Sequence, residues 1–147
     1  MRDHFTTRNA LELPPADRPF TRADLIFYGI DHSGPSFEAL VFMDARGVGK
    51  GADAGHKAYV GSFHIFGHGG CFGDVGHCDV KPKEDPFDLR PAHQLEPRLR
   101  IVTVTEPLRE LLGRGIEAAK ITVIGRSVGK APNDVLAFDT VRLATYA

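Results

Sequence analysis

The stretch ADLIFYGIDHSGPSFEALVFM, residues 23–43, decides the fold class of this chain. Both alternating sets of side chains in residues 23–31 are largely apolar, which is typical of a strand buried on two faces. The turn residues Gly34 and Pro35 follow, and residues 37–43 form a second apolar run. The stretch therefore predicts two β-strands, which we expect to pair with each other as a hairpin.

Further segments with strand character lie downstream of this stretch. In AYVGSFHIF, residues 58–66, Phe63 and Ile65 share one face while His64 and Phe66 share the other. β-Branched residues indicate another strand in RLRIVTVT, residues 98–105. Two more strands are predicted. One covers residues 120–125 of the stretch KITVIGRS, and the other is VLAFDTVRLATY, residues 135–146, with an interruption near Asp139.

One short helix is predicted after residue 104. Thr105 is the expected N-cap, and Glu106 and Pro107 suit the first turn, where an acid meets the positive helix end and proline needs no donor. The leucines of residues 108–112 fall on one face, and Gly113 ends the helix. Strands throughout with one short helix predict a mainly β protein, an antiparallel β-sandwich of about six to eight strands.

The first twenty residues differ in composition from the rest of the chain. They are polar and contain three prolines, and they have no strand-like alternation. We predict that residues 1–20 form an N-terminal arm or linker, with at most one helical turn over residues 7–13. Residues 21–147 are predicted to form the β-sandwich domain.

Composition excludes several classes of function. The chain has 147 residues, 42% of them hydrophobic and 25% charged, with a net charge of −1 and no basic stripe, so nucleic-acid binding is disfavoured. No apolar run approaches the roughly 20 residues needed to span a bilayer. The N-terminus lacks the apolar region of a secretory signal. We therefore expect a soluble protein with no membrane partner and no signal peptide in this chain, while two cysteines fix no compartment.

Four stretches, taken in order, resemble a known family. They are residues 23–44, AYVGSFHIFGHGG (58–70), TVTEPLRELLGRGIEAAKITVIGRS (103–127) and FDTVRLATY (138–146). Together they are similar to the C-terminal β-sandwich domain of type-3 copper proteins, that is, tyrosinases, polyphenol oxidases and molluscan haemocyanins. The resemblance covers about residues 23–146.

The resemblance implies that this chain has a role in which it does not itself catalyse a reaction. Type-3 copper chemistry needs six histidines on a four-helix bundle, and this chain offers no helical pair of histidines, because glycines around His68 would break a helix. The partner implied is a dicopper catalytic domain absent from this chain, from the same precursor or a separate one. The family relationship implies an accessory role in shielding, folding or copper loading of a phenol oxidase.

Residues 67–98 show no periodic signal, and a loop this long is unusual in a compact domain. Three interpretations remain open for the histidines and cysteines of residues 64–78, where this loop begins. In the first, Cys71 and Cys78 form a disulfide, whose closure stabilises by roughly 2–3 kcal/mol. In the second, a metal, with copper the ion implied by the resemblance, is held by thiolates and imidazoles, which are ligands of Cu(I) and Zn(II). The five ligands of this second interpretation are His64, His68, Cys71, His77 and Cys78.

In the third interpretation the cysteines are free and the loop presents a bulky side chain to a partner. Phe72, flanked by Cys71 and Gly73, is the candidate that would block the partner's copper site, as the resemblance implies. The competing expectation is that Phe72 packs back on the sandwich. His32 and His56, which lie beside turns and glycines, are predicted to be solvated. A stand-alone copper-binding protein, or a metalloenzyme using this loop, is the alternative function.

Overall fold

The computed structural model describes residues 2–68, 85–87, 89, 96–129 and 134–147. Within these residues the chain forms nine strands and one helix. No helix in the described ranges is long and apolar enough to span a bilayer. The elements in chain order are β1 (His4–Thr6), β2 (Leu11–Glu12), β3 (Arg22–Ile30), β4 (Phe37–Met43), β5 (Tyr59–Ile65), β6 (Arg98–Thr103), α1 (Thr105–Gly113), β7 (Ala118–Ala119), β8 (Ile121–Ser127) and β9 (Thr140–Tyr146).

Two antiparallel sheets enclose one apolar core. The four-stranded sheet has the order β1-β8-β4-β5, and the three-stranded sheet has the order β6-β3-β9. The core consists of buried inward side chains from both sheets, among them Leu25 and Phe27 of β3 and Ala39 and Val41 of β4. The prediction of an antiparallel β-sandwich with one helix is confirmed.

The predicted hairpin between the first two long strands is wrong. β3 and β4 lie in different sheets, because β6 and β9 occupy both edges of β3 while β5 and β8 occupy both edges of β4. The turn of residues 32–36 therefore crosses from one layer of the sandwich to the other. This arrangement lets the apolar inward faces of both strands meet across the core, which a hairpin within one sheet would not allow.

The first twenty residues contain two short strands that pair with later strands of the chain. β1 pairs with β8, and β2 pairs with β7 in a separate two-stranded sheet. The Phe5 ring packs edge-on against Phe138 with 4.7 Å between the ring centroids. The helical turn allowed for residues 7–13 is wrong, since Leu11 and Glu12 are paired as a strand. The division of the chain into an arm and a domain at residue 20 stays a prediction.

The helix packs on the sandwich through its leucines. Leu108 and Leu111 are buried, and α1 lies against β3. Thr105 is not the N-cap as predicted, because Val104 holds that position without any side-chain cap bond. Instead, the Thr105 hydroxyl accepts a hydrogen bond from the Ala23 backbone N–H at 3.1 Å, which ties the start of the helix to β3.

The interruption predicted near Asp139 is confirmed, since β9 begins only at Thr140. The Asp139 side chain lies against Gly29, where a Cβ atom would come within 2.0 Å of the carboxylate oxygen Oδ2. Gly29 has φ +69° and lies at an irregularity in the register of β3. Glycine is required there both by the positive φ and by the close carboxylate.

The outer side of the four-stranded sheet has its own cover. Leu40, Phe42 and Ile124 point outward from the sheet and are buried with Val48, which belongs to the connection between β4 and β5. Ala45, Ala52, Ala58 and Tyr59 pack against this second cluster. The connection of residues 44–58 therefore closes this side of the sandwich.

Candidate functional site

Only two of the five predicted metal ligands belong to the residues that the structure describes. His64 and His68 are described, whereas Cys71, Phe72, His77 and Cys78 lie outside the described residues. The three interpretations of the glycine-rich loop therefore stay predictions. The structure does describe the two points at which the segment of residues 69–95 joins the sandwich.

His64 faces the outer side of the four-stranded sheet. It lies opposite Glu38 in the register of β4 and β5, and its Nε2 is 3.6 Å from Glu38 Oε1. Its side chain is 67% exposed. The His64 backbone carbonyl accepts a hydrogen bond from Arg100 Nε at 3.1 Å, which joins the edges of the two sheets. The partner of the His64 ring is thus a carboxylate on the neighbouring strand.

His68 is bound to the turn that follows β3. Its backbone N–H donates to the His32 carbonyl at 3.0 Å, and its Nδ1 lies 3.3 Å from the same oxygen. The two imidazole rings meet edge to face with 4.9 Å between their centroids. The structure therefore pairs His68 with His32.

His32 is buried, and the prediction of a solvated side chain at this position is wrong. The residue is 4% exposed, and its Nε2 lies 2.8 Å from the Glu96 backbone carbonyl. Because a carbonyl only accepts, Nε2 is the donor in this hydrogen bond and carries the proton. Through its carbonyl and its ring, His32 holds the residue before the segment 69–95 and the residue directly after it. Ser36 and Gly67 lie beside them, and we call the five residues the loop-base cluster: His32, Ser36, Gly67, His68 and Glu96.

The turn of residues 32–36 also receives Gly67. The Gly67 N–H donates to the Ser36 hydroxyl at 3.0 Å. A Cβ atom at Gly67 would lie 2.1 Å from the Gly34 carbonyl oxygen and 2.3 Å from the Pro35 carbonyl carbon. Two backbones therefore approach each other here at a distance that only glycine permits. The strand β5 thus ends against a fixed turn, which holds Gly67 and His68 in a defined place on the sandwich.

A dicopper centre does not fit the part of the chain that the structure describes. The resemblance requires two sets of three histidines on helices, and α1, the helix of the described ranges, contains no histidine. No group of three or more His, Cys, Asp and Glu side chains within those ranges could hold a metal ion. His32 and His68 are the histidines that the described residues bring together, and both bind backbone carbonyls.

Two charged groups with shifted pKa values lie away from the loop-base cluster. The hydrogen bond to Asp24 raises the pKa of Arg22, and the hydrogen bond from Lys50 lowers the pKa of Asp3. Asp24 is buried on the outward side of β3, where Arg22 Nε and the Thr103 hydroxyl each donate to its Oδ1 at 2.9 Å. The Thr103–Asp24 hydrogen bond joins β6 to β3, and the hydrogen bonds of His32 to His68 and Glu96 give the loop-base cluster an anchoring role.

Comparison with known proteins shows the fold. No family model matches the chain, and no curated protein matches it. Among solved structures, the latent aurone synthase (polyphenol oxidase) from natural source matches with a TM-score of 0.59 and 17% identity, over 98% of this chain and 24% of that chain. The recombinantly expressed latent enzyme matches with a TM-score of 0.58 and 16% identity, over 99% of this chain and 24% of that chain.

The fold is that of part of a polyphenol oxidase chain. The same recombinant enzyme co-crystallised with hexatungstotellurate(VI) also matches, with a TM-score of 0.59 and 15% identity. The resemblance to the type-3 copper family that the sequence indicates is confirmed at the level of the fold. This chain spans about a quarter of the length of these neighbours.

Proposed function

We propose that this chain is a non-catalytic accessory domain that covers the dicopper site of a tyrosinase-like phenol oxidase. The observation that carries the proposal is the match of nearly the whole chain to about a quarter of a latent polyphenol oxidase. The word latent in the name of that enzyme describes a form whose activity is held back. A domain of this fold is therefore a candidate for the part that restrains activity, and the dicopper domain is its partner.

The loop-base cluster supports this proposal by its position. An accessory domain that shields a partner's site needs a segment held at a defined point of a rigid scaffold. His32 binds the chain immediately before and after the segment 69–95. In the proposed role this segment carries the blocking side chain, for which Phe72 is the candidate. Shielding is the main proposal, and help in folding or copper loading of the partner is compatible with the same contact.

Co-purification from the cells that encode the chain tests the proposal. A tagged chain is isolated at low salt, and its partners are identified by mass spectrometry. We expect a protein with histidine-rich helices and about two copper ions per copy of the chain. The control is the same tag expressed without the chain. Purification without any copper protein, from cells that express one, contradicts the proposal.

A second candidate function is copper binding by the segment itself, with the ion as cargo for the partner. The observation in its favour is that three of the seven histidines and both cysteines fall within residues 61–78. We expect two free thiols and about one copper per chain after loading with Cu(I), and loss of this copper in Cys71→Ser. Absence of free thiols and of bound copper would instead identify a disulfide-closed segment and leave shielding as the function.

A further inference from the structure

The outer side of the three-stranded sheet is buried around Asp24, but within the described residues it is open around Leu99 and Ile101. Its outward positions alternate with the core positions along β3, β6 and β9, and the registers place Ile26 beside Ile101 and Arg142. Tyr28 and Leu99 follow at the next outward positions. We call these five residues the uncovered face: Ile26, Tyr28, Leu99, Ile101 and Arg142.

The uncovered face exposes large apolar side chains side by side. Leu99 and Ile101 are each 46% exposed, and they neighbour the half-buried Ile26 and Tyr28. The opposite sheet buries the equivalent side beneath residues 44–58. The two layers of the sandwich are therefore unequal, and the three-stranded sheet keeps an apolar surface that another protein surface can cover.

The charges on this side of the sheet indicate the chemistry of the surface that covers it. Asp24 is the acidic residue among the outward positions of β3, β6 and β9, and Arg22 and Thr103 already bind it. The Arg142 guanidinium lies over the Tyr28 ring at 5.8 Å and adds a positive charge. The same face of a second copy would offer Arg142 no free carboxylate, since Asp24 is already bound. A partner with carboxylates around an apolar centre therefore fits better than a second copy.

The uncovered face is continuous with the loop-base cluster. β6 begins at Arg98, two residues after Glu96, and β3 ends at Ile30, two residues before His32. β6 and β3, two of the three strands of the face, therefore lead directly to Glu96 and His32 of the loop-base cluster. A domain bound on the uncovered face lies next to the point where this segment leaves the sandwich.

We propose that the uncovered face is the surface on which the dicopper domain docks. The inference rests on the proposed function, which supplies the class of partner, and it adds the contact surface. The matched neighbours support a partner domain, since three quarters of each of their chains lies outside the matched fold. The partner surface is expected to be apolar at its centre, opposite Leu99 and Ile101, with a carboxylate opposite Arg142.

A photo-crosslinking residue on the uncovered face tests this assignment. Benzoylphenylalanine is placed at Ile101 in one variant and at Lys57 in a control variant, in the full chain and in the cells that encode it. Lys57 is exposed and lies in the connection of residues 44–58, which covers the outer side of the opposite sheet, so it is a position outside the face. The crosslinked peptides are identified by mass spectrometry.

The expected result is a crosslink from position 101 to a type-3 copper domain and none from position 57. A crosslink to that domain from position 57 alone, or equally from both, overturns the docking face and leaves the proposed function standing. A crosslink from position 101 to a second copy of the chain, or to lipid, also overturns it. If neither position gives a crosslink to a copper domain, the assignment of the docking face is overturned. If co-purification also yields no copper protein, the proposed function is overturned as well.

Affinity measurements give an independent check with surface substitutions. Ile101→Glu and Arg142→Glu are each expected to weaken binding of the purified dicopper domain by about tenfold or more, since apolar and arginine contacts near an interface centre dominate affinity. Lys57→Glu, a charge reversal on the opposite side of the sandwich, is expected to leave the affinity unchanged. Thermal unfolding of each variant shows whether the fold is retained. Equal affinities for folded Ile101→Glu, Arg142→Glu and Lys57→Glu would overturn the inference.

Discussion

His32 connects parts of the chain that are far apart in sequence. Its carbonyl and its ring hold His68 and Glu96, and its side chain is buried. Local sequence placed His32 in a polar turn and predicted a solvated side chain. The burial follows from contacts 36 and 64 residues away, for which no short-range pattern exists.

Replacement of His32 by alanine is predicted to destabilise the protein. The variant loses a buried ring, its hydrogen bond to the Glu96 carbonyl and its edge-to-face contact with His68, and a cost of about 1–3 kcal/mol in the free energy of unfolding is expected. Urea unfolding monitored by circular dichroism measures this change. The matched control is His64→Ala, whose exposed ring should contribute within about 0.5 kcal/mol. Equal stabilities of the two variants would show that His32 does not anchor the loop base.

Gly67 offers a second test of the same cluster. In Gly67→Ala the new Cβ atom meets the backbone of Gly34 and Pro35, which cannot move as a side chain end could. We expect a loss of about 1–3 kcal/mol in the free energy of unfolding, as for overpacked cores. Gly49→Ala is the control, because no atom lies within 4 Å of the position that its Cβ would occupy. Unfolding curves of Gly67→Ala that coincide with those of Gly49→Ala would contradict the close approach.

At the scale of elements, strand existence could be predicted and strand partners could not. Alternating apolar residues placed β3, β4 and β5 within one or two residues of their observed bounds. The pairing of β3 with β4 was wrong, since adjacency in sequence favours a hairpin while the core requires their apolar faces to meet across two layers. β1 has three residues and β2 has two, so neither is long enough to show a recognisable period in the sequence.

The N-terminal strands are predicted to stabilise the sandwich. Deletion of residues 1–13 removes both of them, leaves the edge of β8 unpaired and strips Phe5 from Phe138. The free energy of unfolding should fall by at least about 3 kcal/mol, since the buried Leu13 and the partly buried Phe5 and Leu11 leave the core together. The control is Arg8→Ala with Asn9→Ala, both exposed positions of the same segment. Unchanged stability after the deletion would indicate that residues 1–20 act as an independent arm.

At the scale of the whole molecule, the fold class and the family resemblance followed from the order of the elements. Each motif alone was weak, but strands, helix and closing strand in the observed order agree with the fold of the polyphenol oxidase chains. The candidate site was predicted less completely. His64 and His68 were identified as one group, yet the structure directs them to Glu38 and His32, because one belongs to a strand face and the other to a turn contact.

The central claim is that the chain covers the dicopper site of a phenol oxidase, and a titration tests it directly. The dicopper domain obtained by co-purification is separated from the chain, and its catechol oxidation is measured while the chain is added back. The account predicts that the rate falls as chain is added and reaches its minimum at one chain per dicopper domain, with Ile101→Glu requiring about tenfold more chain. A rate that stays constant at saturating, bound chain would contradict the account.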